Sequence, residues 1–213
     1  IHVDILDLDV RARVRIHPER IAETLEISRS LEHQHFYRRL QAAQHLHRLL
    51  GEGERSGSGE VPPFIAATDR IIDADQDREH RQLGVVDRHG NAAAWTGKEC
   101  FNGAGHHTGA GFTCQGNILA GAAVVAAMAS TFERTSGPLP ERLVAVLDAG
   151  QAEGGDSRGQ QSAAIYVAKE KGGYGGTIDR YIDLRVDDHP TPIVELRKLL
   201  EMHRLYFGAT EPA

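Results

Sequence analysis

Apolar residues alternate with charged ones at the start of the chain. Leu6, Leu8, Val10, Ala12, Val14 and Ile16 interleave with Asp7, Asp9, Arg11, Arg13 and Arg15. A period of two predicts a half-buried strand with one charged face, long enough to bend, and Pro18 ends it. From residue 19 to 50 the period becomes helical, in two pieces. The second piece, over 32–50, puts Phe36, Leu40, Ala43, Leu46 and Leu50 on one face. Residues 51–60 (GEGERSGSGE) form a polar loop, Pro62 and Pro63 block helix continuation, and a short helix is expected over 64–74.

Beyond residue 80 the pattern predicts short strands over 83–87 and 91–95, joined by Arg88, His89 and Gly90 as a hairpin. A glycine-rich loop over 97–111 follows, then a strand over 112–116. A helix of small residues is expected over 118–134, stopped by Gly137 and Pro138, and a second helix over 141–151. Strands over 163–169 and 180–186 flank a glycine loop, and a last helix starts near Asp188 and runs to about Leu205. Neighbouring strands on short turns pair antiparallel, and the helices gather together. The fold class is therefore α+β, not a doubly wound parallel sheet.

Composition changes this picture in one respect. The 213 residues carry 24 basic and 30 acidic side chains, a net charge of −6, which argues against a nucleic-acid partner. The 12 histidines divide evenly between residues 1–70 and 71–213, but the first part has no lysine and only four of the 23 glycines. Two readings of that break stay open: a segment read in a shifted frame, or a divergent N-terminal segment. The run 118–132 is too short and alanine-rich to span a membrane. A start at Ile1 with Asp4, Asp7 and Asp9 reads as a fragment or processed product without a signal peptide. Two cysteines cannot build a disulfide framework, so a cytoplasmic location is expected.

The chemistry-bearing stretches are few. Gly103, Gly105 and Gly109 do not match the dinucleotide fingerprint and precede a strand, and no phosphate-binding loop occurs, so no cofactor is expected. His106 and His107 are adjacent, and neither HExxH nor paired CxxC supports them, so no metal is expected. Cys114 reads as a buried inert thiol, and Cys100 as the better of two weak nucleophiles. Asn117 stands where the apolar helix should begin and suits an N-cap, with backbone donors beside it that could meet an oxyanion. The loop over 149–163 concentrates Asp156, Arg158, Gln161 and Ser162 among glycines, a density that fits a site. Residues 179, 181, 183, 185 and 187 alternate onto one solvated or subunit-facing surface.

Five ordered stretches carry a resemblance: residues 80–87 (HRQLGVVD), 104–109 (AGHHTG), 114–121 (CQGNILAG), 149–163 (AGQAEGGDSRGQQSA) and 179–190 (DRYIDLRVDDHP). Over about residues 68–208 the chain resembles the bacterial and archaeal family numbered 1028 among domains of unknown function. The resemblance implies an N-terminal-nucleophile (Ntn) hydrolase-like fold, a four-layer αββα sandwich of antiparallel sheets. It divides the chain into an atypical segment, 1–67, and the Ntn-hydrolase-like part, 68–213.

Fold relatives of that class hydrolyse amide bonds with an amino-terminal Thr, Ser or Cys whose own amine is the base. The resemblance therefore implies an amide-bond hydrolase acting on a small-molecule or peptide amide. Asn117, Asp156, Arg158 and Ser162 are the candidate catalytic residues, and Gln115, Gln161 and His107 the substrate-binding ones. Ile1 offers no nucleophile, so activity impaired in this chain is expected. The rivals are a non-catalytic binding or assembly domain of the same fold, and a cysteine hydrolase using Cys100. A homodimer is the expected assembly. Members can carry a C-terminal peptidoglycan-binding-like module, and none is expected here.

Overall fold

The computed structural model describes residues 2–5, 63–87 and 89–208. The strand expected over 6–16, the helices within 19–50 and the loop over 51–60 lie outside the described residues. The chain divides into two units, one formed by residues 1–13 with 79–213, the other by residues 14–78. Of the second unit, the described part is helix α1 (Pro63–Ala74) and the turn after it. Pro63 opens the helix, where a missing N–H costs nothing. Asp75 closes it, its Oδ1 accepting the Asp77 N–H at 2.9 Å.

In the first unit, strands β1 (His2–Ile5), β2 (Gln82–Val86), β3 (Ala92–Thr96), β4 (Gly105–Gly109) and β5 (Phe112–Gly116) precede helices α2 (Ala122–Arg134) and α3 (Leu139–Ala152). Strands β6 (Ala163–Ala168) and β7 (Arg180–Val186) and helix α4 (Pro192–Phe207) complete it. The result is mixed α+β; among the described residues every strand pair is antiparallel, and the β2–β3 hairpin stands where its turn predicted it. Among the described residues the strands form three small sheets, ordered β1-β5-β4, β2-β3 and β6-β7.

The β2–β3 hairpin pairs Gln82 with Thr96 and Val86 with Ala92. Its turn is closed by Asp87, whose Oδ1 accepts the N–H groups of His89 at 2.8 Å and Asn91 at 2.9 Å. The stretch 105–109, expected within a loop, is strand β4. It joins β5 through a two-residue turn in which Gly111 has a φ of 76°. The strand escapes the hydrophobic pattern because His106, His107 and Thr108 are all exposed on a sheet edge.

β5 is buried along its whole length and lies between two layers. Phe112 and Cys114 face α2 and α3, where Phe112 meets Phe132 at 4.8 Å between ring centroids. Thr113 and Gln115 face the β2–β3 hairpin. The hairpin approaches closely because Gly84 has no side chain: a Cβ there would stand 2.6–2.7 Å from the Gln115 amide and the Thr113 hydroxyl. On α2 the buried residues Val124, Val125, Met128, Ala129 and Phe132 recur at helical spacing. The Arg142 guanidinium of α3 lies over the Phe132 ring at 3.9 Å and donates to the Phe132 carbonyl, satisfying an acceptor near the end of α2.

The same core continues through Ile165 and Val167 of β6, Ile182 of β7, and Ile193, Leu196 and Leu200 of α4. Leu196 is fully buried, so its truncation to Ala should cost about 2–5 kcal/mol. Tyr181 departs from the alternation expected for residues 179–187. The register slips between Val167 and Ala168, so Tyr181 is the extra residue of a bulge. It turns to the α4 side, edge-on to His203 at 5.9 Å, instead of joining Asp183 and Arg185 outside.

Candidate active site

Two loops of the first unit are stitched together at the end of β5. The stretch 117–121 between β5 and α2 is not helical: Ile118 has a φ of 59°, a left-handed value that β-branched side chains rarely adopt. Its main chain pairs instead with the loop after α3. Ser157 N donates to the Ile118 carbonyl at 2.8 Å, Ala120 N donates to the Gly155 carbonyl at 2.9 Å, and Leu119 bridges Asp156 antiparallel. These partners consume the groups a helix would have used, so α2 begins four residues later than the apolar run suggests. Asn117 therefore does not cap it. Its Oδ1 accepts the N–H of Ile118 at 2.9 Å, and Gly121 holds the cap position without a side-chain bond.

Asp156 holds the next turn. Its Oδ1 accepts the Arg158 N–H at 2.8 Å and Arg158 Nε at 2.9 Å, and Oδ2 accepts Nη2 at 2.7 Å. This bidentate bond keeps the Asp156 carboxyl at about 2, well below the ordinary 3.8, despite partial burial. Asp156 is thus an anion at neutral pH, and Arg158 is spread on the surface above it.

A second polar cluster lies between the β2–β3 hairpin and the β4–β5 pair. Gln82 Nε2 is surrounded by three oxygens: the Gly116 carbonyl at 2.8 Å, the Thr96 hydroxyl at 3.0 Å and the Gly105 carbonyl at 3.2 Å. Only the NH2 end of the amide suits that environment. Thr96 Oγ1 also lies 2.8 Å from His106 Nδ1. Partial desolvation of the ring, then the neighbouring His107, lowers the His106 pKa from its ordinary value. His106 pairs with Gln115 across the sheet, and the Gly105↔Gly116 pair puts this cluster one residue from the Asn117 loop.

Of the residues singled out from sequence, Asn117, Asp156 and Arg158 belong to the stitched loops, and Gln115 to the buried face beside them. Gln161 and Ser162 are exposed, and Gln161 is drawn toward the turn before α4. The Gln161 carbonyl accepts the His189 N–H at 2.8 Å, and Gln161 Nε2 donates to Asp188 at 3.4 Å. His107 sits on the opposite face of the sheet from Gln115, paired with Cys114 and with its ring 6.1 Å from that of Phe112. It is a strand residue, not a loop one.

Sequence reading missed Gln82 and Thr96, and took His106 only as a loop residue. The available signal was alternation: had 105–109 been read as a strand, His106 would have fallen on the face of Gln115.

The thiols are not activated. Burial raises the Cys100 pKa, and its Sγ contacts the Arg81 carbonyl at 3.5 Å. Cys114 is fully buried and pushed up to about 12. The Cys100 shift runs opposite to that of a thiolate nucleophile, burial first and the Glu79 charge adding to it. Among the described residues no three His, Cys, Asp or Glu side chains gather as a metal site, and no helix is long and apolar enough to cross a membrane.

Fold and clusters define an α+β domain of small antiparallel sheets with a polar seam between two of them. Residues 58–196 match the model of a family of unknown function, DUF1028, and the chain belongs to that family. It is also similar to the crystal structure of protein SPO2555 from Silicibacter pomeroyi, of the same family. The two share 31% sequence identity at a TM-score of 0.56, over 68% of this chain and 61% of that one. The chain thus spans under two thirds of the length of that relative. No curated protein matches it.

Proposed function

We propose that the domain is Ntn-hydrolase-like and hydrolyses amide bonds of a small-molecule or peptide substrate. One observation carries this reading. β1 runs antiparallel to β5 with His2 opposite Gln115, so the His2 end of β1 lies beside the junction of the Asn117 and Asp156 loops. The amide of Asn117 and the Asp156–Arg158 pair thus gather at one sheet end, the arrangement an amide-hydrolysis site uses. The stack of a hairpin on a sheet on a helix pair supports the same reading by fold analogy. In it, Asn117 offers an amide donor toward a substrate carbonyl, Gln115 backs it from the buried face, and the Asp156–Arg158 pair braces the neighbouring loop.

A second reading has its own support. Asp156 and Arg158 satisfy each other, as expected of a loop staple in a non-catalytic binding or assembly domain. The two part in one experiment: the purified protein is incubated with a panel of N-acyl amino acids and peptide amides, and amine release is measured. Turnover that falls in Asn117→Ala supports hydrolysis. No release from any substrate, together with no adduct from an electrophilic acylating probe, leaves the binding reading.

A further inference from the structure

The seam between the sheets holds a group that neither the loop staple nor the first strand accounts for. Thr96 Oγ1 accepts a hydrogen bond from Gln82 Nε2 at 3.0 Å, and the same oxygen is 2.8 Å from His106 Nδ1. A hydroxyl has one proton to give. With Gln82 donating to the oxygen, the Thr96 proton is directed at the imidazole when His106 carries its own proton on Nε2. Gln82 is itself anchored on the carbonyls of Gly105 and Gly116, one on each of β4 and β5, so the Thr96 oxygen is held in register with both strands.

Stitching the sheets needs only those Gln82 bonds. The Thr96–His106 contact adds something different: a hydroxyl and a base within the 2.6–3.2 Å expected of an activated nucleophile, with Gln82 orienting the hydroxyl. Thr96 is half-buried and His106 is exposed on the edge strand, so the pair is ordered on one side and open on the other.

We infer that Thr96 and His106 form a nucleophile–base pair, internal to the chain, for acyl transfer from a carboxamide. This rests on the amide-hydrolysis reading above and names the nucleophile for it. Thr96 Oγ1 attacks the carbonyl carbon while His106 Nδ1 takes the hydroxyl proton. The carbonyl then re-forms, the C–N bond breaks, and the imidazolium returns that proton to the leaving amine, giving an acyl ester on Thr96. Water attacks the ester, His106 takes its proton and passes it to Thr96 Oγ1 as the acid leaves. Water is the one co-reactant and no redox step occurs. General-base assistance of this kind is worth ~10²–10⁴-fold.

The test uses the whole chain and a β-lactone probe, with the adduct located by peptide mass spectrometry and amine release assayed alongside. The expected results are an adduct on Thr96, its retention in Thr96→Ser, its loss in Thr96→Val, and labelling ~100-fold slower in His106→Gln. The wild-type labelling rate should rise with pH through a midpoint below that of free imidazole, a dependence absent from His106→Gln. A purely structural role would alter melting but not the site or pH profile of labelling. Should Thr96→Val not fold, Thr96→Ser and His106→Gln carry the test. Wild-type turnover with an adduct elsewhere, or turnover unchanged in Thr96→Val, overturns the pair and leaves amide hydrolysis standing. Neither turnover nor adduct in the wild type overturns both.

Discussion

Gly103 lies against the backbone of Leu119 so closely that a Cβ at position 103 would overlap the Leu119 carbonyl oxygen. Gly103 also has a φ of 78°, which a side chain would strain independently of the contact. The loop ahead of β4 therefore clamps the stretch that leads from β5 into α2. Gly103→Ala should destabilise the protein by about 3 kcal/mol or more, since both penalties act at once. Gly105→Ala is the control: nothing lies within 4 Å of a Cβ there, and its effect should stay below about 1 kcal/mol. Chemical denaturation of the two variants decides the point, and equal losses would contradict it.

Ile118 pairs left-handed backbone with a β-branched side chain at the centre of the stitched loops. Ile118→Gly relieves strain worth roughly 1–2 kcal/mol and forfeits packing of a partly buried side chain of similar size. The melting temperature should therefore move little, while amine release falls because the Asn117 and Asp156 loops lose their fixed relation. A large fall in melting temperature would show that Ile118 is there for packing.

Lys171 is the exposed counterpart, with a φ of 56° in the turn after β6. Its N–H donates to Asp179 Oδ1 at 2.9 Å, a bond that any residue at 171 keeps. Lys171→Gly should raise stability by ~0.5–1 kcal/mol, the left-handed penalty less the entropy glycine brings. Loss of stability in thermal melts would refute this.

Asp156 sets an acid limb. Its folded pKa is about 2 against 3.8 ordinarily, so its contribution is complete above 3.8 and drains away as pH falls toward 2. Asp156→Asn should be less stable than wild type at neutral pH, and the gap should close across that interval. Denaturation midpoints measured from neutral pH downward test this, and a gap that widens with acid would reverse the assignment.

Both thiols should resist alkylation at neutral pH, Cys114 more than Cys100. Burial raises both pKa values, and Cys114 reaches about 12. Iodoacetamide should modify Cys114 only after unfolding. Cys100→Ser should leave amine release unchanged, and its abolition would restore Cys100 as a nucleophile.

Most elements from residue 63 onward were legible because each obeys a local rule. Val124, Val125, Met128 and Phe132 recur at helical spacing, Asp87 to Asn91 carry turn chemistry, and Ile165 with Val167 alternates. The failures share one cause, a backbone partner distant in sequence. Residues 118–121 look helical by composition but pair with 155–157. Residues 105–109 look like a loop, yet the buried strand β5 takes them as an edge. Tyr181 should have faced outward, and a bulge turned it in.

The candidate site divides along the same line. Asn117, Asp156 and Arg158 could be singled out from sequence because carboxylate, guanidinium and amide cluster in glycine-rich stretches, a local property. Gln82 and Thr96 could not, since they stand on two different strands and look unremarkable singly, and His106 drew notice only as a loop residue. The sequence by itself determined the α+β class, the antiparallel turns and the family, all of which reside in short-range patterns. Only the tertiary structure decided where α2 begins and which polar groups meet. Those outcomes depend on main-chain hydrogen bonds and on the close approach at Gly84 and Gly103, where missing side chains let layers touch.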